Sequence, residues 1–238
     1  MRIFLAGATG AIGQRLVPRL IEAGHDVVGT TRSASRAEGL RAAGVSPVVV
    51  DVYDAPSIHR AVADARPDVV IQQLTDLPQN LEPSQMTEGI RRNARIRREG
   101  TQHLVSAALA AGVRRMIAQS IAWIYAPGPE PHDEDDPFDL HAQGLREITV
   151  GGVVALERLV LHSPPIEGVV LRYGHLYGPN TGADRADPPA IHVDAAALSA
   201  LLAMEKARSP IYNIAEPNAY ASTERARREL GFDPAVRR

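Results

Sequence analysis

The clearest chemistry in the chain sits near its start. Gly7-Ala8-Thr9-Gly10-Ala11-Ile12-Gly13 follows a short apolar run, Arg2–Ala6, and opens an amphipathic stretch over residues 11–23. In such a turn the first glycine permits a tight bend, the second lets backbone approach a pyrophosphate, and the third lets helix pack close to strand. A helix N-terminus then offers free N–H groups and a positive dipole end to phosphate. The spacing here is Gly-x-x-Gly-x-x-Gly, and its strand–turn–helix context predicts a dinucleotide cradle made by Gly7, Thr9, Gly10, Ala11, Ile12 and Gly13. The next strand ends Gly29-Thr30-Thr31-Arg32-Ser33, with no carboxylate to hold the ribose hydroxyls of NAD. Arg32, helped by Ser33 and Arg36, offers a fork of donors to a 2′-phosphate instead. NADP(H) is therefore the favoured cofactor, with NAD(H) left open.

A cradle of this kind needs a scaffold, and the rest of the chain reads as one. Short runs rich in Val and Ile at Arg2–Ala6, Asp26–Thr30, Pro47–Val50, Asp68–Gln72, Arg115–Gln119, Gly168–Arg172 and Ile211–Ile214 predict buried parallel strands. Helical patterns near 11–23, 34–43, 55–65, 86–111, 145–162, 193–206 and 223–230 alternate with them. The alternation predicts right-handed βαβ units and a doubly wound α/β sheet of Rossmann type, with helices on both faces. Residues 1–238 read as one nucleotide-binding domain, whose reduced C-terminal lobe is drawn from about 173–192 and 211–238. The segments 127–139 and 178–190 read as loops after strands, where ligands bind in open α/β sheets.

These residues together resemble the extended and atypical short-chain dehydrogenase/reductases, the NAD(P)-dependent epimerase/dehydratase group. The glycine turn carries the resemblance first. Asp51-Val52 after the third strand resembles the family's adenine contact, and Asn93 through Gly100-Thr101 its fourth-helix pattern. Ser120 closes the fifth strand, where the family keeps a catalytic Ser or Thr. Leu171-Arg172-Tyr173-Gly174-His175-Leu176-Tyr177-Gly178-Pro179 resembles the stretch beside the nicotinamide, and Tyr212-Asn213-Ile214-Ala215 a later strand. The resemblance implies cofactor contacts from Gln73, Leu74, Asn93, Ser120, Tyr173, Gly174 and His175 as well. It also implies a small organic substrate, and a homodimer through helices 86–111 and 145–162.

The resemblance breaks at the chemistry. The family's general acid is the tyrosine of Tyr-x-x-x-Lys, with the lysine lowering its pKa. Aligning on Glu157-Arg158-Leu159 puts Thr149 and Val153 at those two positions. The only lysine in the chain is Lys206, with Leu202 four residues before it. Positioned proton transfer is worth roughly 10²–10⁴ in rate, so another group must serve if protons move. Ser120, Tyr125 and His175 are the candidates. Two readings follow: an NAD(P)-dependent oxidoreductase or epimerase/dehydratase with a non-standard site, or a dinucleotide-binding sensor or scaffold without redox chemistry.

Composition closes off other classes. Of 238 residues, 45% are hydrophobic and 23% charged, an ordinary globular balance. A net charge of −2 gives no field for nucleic acid or an anionic membrane. No cysteine is present, which removes thiolate metal sites and a cysteine nucleophile. No apolar run reaches membrane-spanning length, and a cytoplasmic location is expected. Arg91, Arg92, Arg95, Arg97 and Arg98 crowd one helix, either as a solvated face or as a seat for an anionic substrate or the acidic loop Asp133–Asp136.

Overall fold

The computed structural model describes residues 1–237. Its centre is a seven-stranded sheet, parallel throughout. Chain order gives β1 (Arg2–Ala6), α1 (Ala11–Glu22), β2 (Asp26–Thr31), α2 (Ala34–Ala42), β3 (Ser46–Val49), α3 (Ala55–Ala65) and β4 (Val69–Gln72). A long kinked helix follows: α4 (Met86–Arg95), a π-helical turn (Ile96–Gly100) and α5 (Thr101–Ala110). Then come β5 (Arg115–Ile121), α6 (Leu145–Leu161), β6 (Glu167–Tyr173), β7 (His175–Tyr177), β8 (Ala190–His192), α7 (Val193–Lys206), β9 (Ile211–Ile214) and α8 (Glu224–Leu230). The spatial order β3-β2-β1-β4-β5-β6-β9 reverses direction beside β1, and ligands of such sheets bind at the strand ends where that reversal opens a crevice.

The inner strands are covered on both faces, which is why their sequences are nearly continuous apolar runs rather than alternating ones. Ile3, Leu5, Ile71, Ile117 and Leu171 pack under α1 and α7, while Phe4, Val70, Met116 and Val170 pack under α3, α5 and α6. Helix α1 supplies its share through Ile12, Leu16, Val17 and Leu20, a single stripe at helical spacing. Helix α3 starts at Asp54, whose carboxylate accepts from the Ser57 N–H at 3.1 Å.

Residues 211–214, read from the sequence as a parallel strand and also counted toward the C-terminal lobe, form the edge strand β9, paired to β6 from Val170↔Ile211 to Tyr173↔Ile214. Residues 178–190 end in part of a small second sheet, β7 with β8, which closes the loop against the main body.

Candidate cofactor and substrate site

The glycine turn has the geometry of a phosphate cradle. Gly7 sits at φ 90°, and a Cβ there would lie 2.6 Å from the Gln73 carbonyl oxygen. A side chain on Gly13 would collide with the Gly7 carbonyl and the Ala8 backbone, so this glycine sets the close seating of α1 on the turn. The Gly7 N–H donates to Thr30 Oγ1 at 3.2 Å, and the Gly10 N–H donates to Gly7 O at 3.0 Å. Gly10 differs: a Cβ there would meet only the Gly7 carbonyl oxygen, at 3.3 Å, with open space elsewhere. Gly10 is the N-cap of α1, and no side chain caps that end. The N–H groups of Ala11, Ile12 and Gly13 thus have no partner within the helix. The residues fit a pyrophosphate.

At the second strand end, Arg32 is 57% exposed and its guanidinium lies 3.3 Å from Asp76 Oδ1. Arg92, from α4, approaches Asp76 Oδ2 at 3.8 Å. A carboxylate is therefore present at this corner after all, delivered from beyond β4. Asn93 holds it there, its Oδ1 accepting from the Asp76 N–H at 3.0 Å. Sequence reading looked for an acid on β2 alone; only the chain crossing between β2 and β4 could supply this one. Ser33 and Arg36 open α2, with the Ser33 hydroxyl 2.7 Å from that of Ser35. Asp51 accepts from the Tyr53 N–H at 3.0 Å, while Val52 is buried against Gly100 and its carbonyl meets His103 Nδ1 at 2.8 Å. Arg95 lies over the Tyr53 ring at 4.2 Å.

Two of the three expected catalysts are not at an open site. Ser120 is fully buried, and its hydroxyl donates to Glu157 Oε1 at 2.6 Å. The same carboxylate receives Arg172 at both oxygens, Nε at 3.1 Å and NH2 at 2.8 Å. Arg172 also donates to the Tyr125 hydroxyl at 3.0 Å, and that hydroxyl donates to Asn213 Oδ1 at 2.6 Å. Burial pushes the Tyr125 phenol up to about 12, against the pull of Arg172 and Asn213. Strand alternation explains this: Ser120 points with Met116 and Ala118 toward α6, where Glu157 waits. Ser120 and Tyr125 belong to a buried polar network joining β5, β6, β9 and α6. Their assignment as substrate-facing groups is corrected accordingly.

Tyr173 and Gln73 also turn inward. Both are buried, with Gln73 Nε2 3.5 Å from the Tyr173 hydroxyl, and burial raises the phenol's pKa. Leu74 stays half-buried at the exit of β4. Gly174 leaves no room for a side chain, since a Cβ would sit 2.7 Å from the Pro189 carbonyl oxygen. His175 remains half-exposed. Its ring stacks on Trp123 with centroids 4.0 Å apart, and its Nδ1 is 2.9 Å from the Asp187 carbonyl oxygen. A carbonyl can only accept, so the Nδ1 that faces it carries a proton. Trp123, which sequence reading did not single out, packs this ring between the exits of β5 and β6.

The arginine-rich helix separates into different roles. Arg91 pairs with Glu88 and Arg95 with Glu99 along the helix surface. Arg97 is buried, which removes it from the charged outer face. The acidic loop is held within the chain by Arg225, at 3.4 Å from Glu134 and 2.6 Å from Asp135, rather than by the arginine helix. Among the described residues no helix is long and apolar enough to cross a membrane, and no cluster of His, Asp and Glu is grouped to hold a metal.

A family model described as NAD(P)H-binding matches residues 7–186, which include the glycine turn, Asp76, α6 and His175. A 3-diazoavenalumate denitrifying reductase from a Streptomyces species is 47% identical over 196 residues, 81% of this chain; the chain spans 62% of that protein's length. A UDP-glucose 4-epimerase from Mycolicibacterium smegmatis is 33% identical over 146 residues, 58% of this chain and 45% of that protein. The structure of a UDP-glucose 4-epimerase from Thermotoga maritima with UDP-glucose superposes with a TM-score of 0.79 at 20% identity, covering 100% of this chain and 94% of the other. A UDP-glucuronic acid 4-epimerase from Bacillus cereus with UDP-glucuronic acid and NAD gives 0.77 at 16% identity, covering 100% and 95%. At these identities the two structures speak to the fold.

Proposed function

The chain belongs to the NAD(P)H-binding family, and from that premise we propose that it is an NADP(H)-dependent reductase of a small organic molecule. The observation that carries this is the uncapped, glycine-lined start of α1 with Arg32 at the neighbouring strand end. Arg32 and Arg92 converge on one point from two elements. A 2′-phosphate taking the place of the Asp76 carboxylate would find both guanidinium groups already facing it. When bound, the nicotinamide supplies a hydride.

The substrate class follows from what α6 lacks. Reduction of a carbonyl builds negative charge on oxygen and needs a proton donor, the work of the missing tyrosine. Thr149 donates to the Leu145 carbonyl at 3.1 Å and Val153 is wholly buried, so neither takes that place. A substrate whose carbon bears a diazonium group needs no such donor. Hydride forms the new C–H bond, the C–N bond breaks with its electron pair, and nitrogen departs as a neutral molecule. The name of the 47% identical relative, a denitrifying reductase of a diazo compound, supports this class. The residues of this chain then orient and desolvate rather than move protons.

A second reading rests on His175. With Nδ1 anchored on Asp187 and the ring packed on Trp123, its Nε2 could exchange a proton with a carbonyl substrate. The pH profile separates the two. Benzenediazonium-dependent NADPH oxidation above background, one nitrogen released per NADPH, unchanged by His175→Ala and flat from about pH 6 to 8, is the expected result. Loss of roughly 10²-fold in His175→Ala with a carbonyl acceptor would select the second reading. NADPH binding with no turnover on either acceptor would select a sensor or scaffold. Pairing of two copies through α4–α5 and α6 is part of the same proposal, and sedimentation at micromolar concentration tests it.

A further inference from the structure

The long helix that follows β4 carries a polar stripe on its inner face: Asn93, Arg97 and Thr101, at i, i+4 and i+8. The two outer members have partners at the exit of β4. Asn93 accepts from the Asp76 N–H at 3.0 Å, and Thr101 accepts from Gln72 Nε2 at 2.8 Å. The middle member has none. Arg97 is 6% exposed and makes no hydrogen bond or ion pair among the described residues.

One carboxylate attracts it without pairing to it. Glu157 attracts Arg97 through space, but both Glu157 oxygens are taken by Arg172 and Ser120. Burial pulls the Arg97 guanidinium down to about 10, so it remains charged at neutral pH. An unpaired buried charge destabilises a fold unless something compensates it. Arg97 also stands in the π-helical turn Ile96–Gly100, and such turns recur at functional sites.

We infer that Arg97 is a ligand-binding residue that receives an anionic oxygen at the crevice edge beside β4 and β5. The oxygen belongs to a cofactor phosphate or to a carboxylate of the substrate. The inference rests on the dinucleotide reading for the first source and is independent of it for the second.

The test is a pair of titrations on wild type and Arg97→Met. NADP⁺ is titrated calorimetrically. Benzoate, a minimal carboxylate, is titrated with and without saturating NADP⁺, and thermal midpoints of the unliganded proteins are recorded alongside. The expected result has two parts. Arg97→Met melts at or above the wild-type temperature, because it removes an uncompensated charge. It also loses at least tenfold in affinity for one probe: for NADP⁺ if the oxygen is the cofactor's, for benzoate alone if it is the substrate's. Wild type that fails to bind NADP⁺ refutes the dinucleotide reading; benzoate still tests Arg97. The inference is overturned if wild type and variant treat both probes alike, including the case where benzoate binds neither protein. A variant that melts well below wild type with unchanged affinities overturns it too, by assigning Arg97 to the core. Should Arg97→Met not fold, Arg97→Lys is titrated instead; it keeps the charge and shortens the reach, and unchanged affinity for both probes overturns the inference.

Discussion

Replacing Ser120 by alanine separates a buried structural hydroxyl from a catalytic one. The Ser120 hydroxyl is 2.6 Å from Glu157 Oε1, wholly out of solvent, and Glu157 keeps Arg172 when the hydroxyl is gone. A hydrogen bond to a charged group contributes about 1.5–3 kcal/mol. For a chain of this size 1 kcal/mol moves the melting temperature by about 2–4 °C, so Ser120→Ala is expected to melt about 3–12 °C lower. Glu157→Leu goes further, because it strands Arg172 in the core. Breaking a buried pair from one side costs about 3–5 kcal/mol, or about 6–20 °C on the same scale. The assay is calorimetric unfolding together with NADPH turnover on the same preparations at a temperature where both proteins are folded. The expected pattern is lowered stability with turnover within about twofold. An unchanged melting temperature with turnover reduced tenfold or more would refute the argument and return Ser120 to the substrate.

Arg32→Ala should weaken NADPH by about 10- to 150-fold, the equivalent of one charge-assisted contact of about 1.5–3 kcal/mol, and leave NADH nearly unchanged in calorimetric titration. Asp76→Asn should do the reverse, strengthening NADPH relative to NADH, since it removes the carboxylate that shares Arg32 and Arg92. Gly13→Ala should abolish binding of both nucleotides while the protein still folds, because the added methyl drives α1 away from the Gly7 carbonyl. Burial acts to raise the Glu229 carboxyl, but hydrogen bonds from Ser209, Tyr212 and Arg228 outweigh it and hold it at about 2, below its usual 4.5. A depressed carboxyl stabilises the fold above its unfolded pKa and loses that contribution as pH falls through the folded one. Between about pH 4.5 and 2 the wild type should therefore lose stability faster than Glu229→Gln in urea unfolding.

The alternation of Val- and Ile-rich runs with helical patterns was enough to place every strand of the central sheet, because burial on both faces leaves an unbroken apolar signature. The glycine turn was equally legible: Gly7 needs a positive φ and Gly13 a bare backbone, and local geometry alone imposes both. That Lys206 is the chain's one lysine, with Leu202 four residues before it, is likewise read from the sequence alone. What residues 120 and 125 touch was not legible. A hydroxyl at the end of a strand can point to crevice or core, and one residue of register decides which. Asp76 and Arg92 come from beyond β4 and meet Arg32 from β2 only because those strands flank β1. Arg97 looked like one of five surface arginines; which of them is buried depends on how α4 and the π-helical turn lean on α6. Periodicity along the chain specifies elements and their buried faces, since those are short-range properties. Charge partners, and the lack of one, belong to distances across the fold, and only the packed structure sets them.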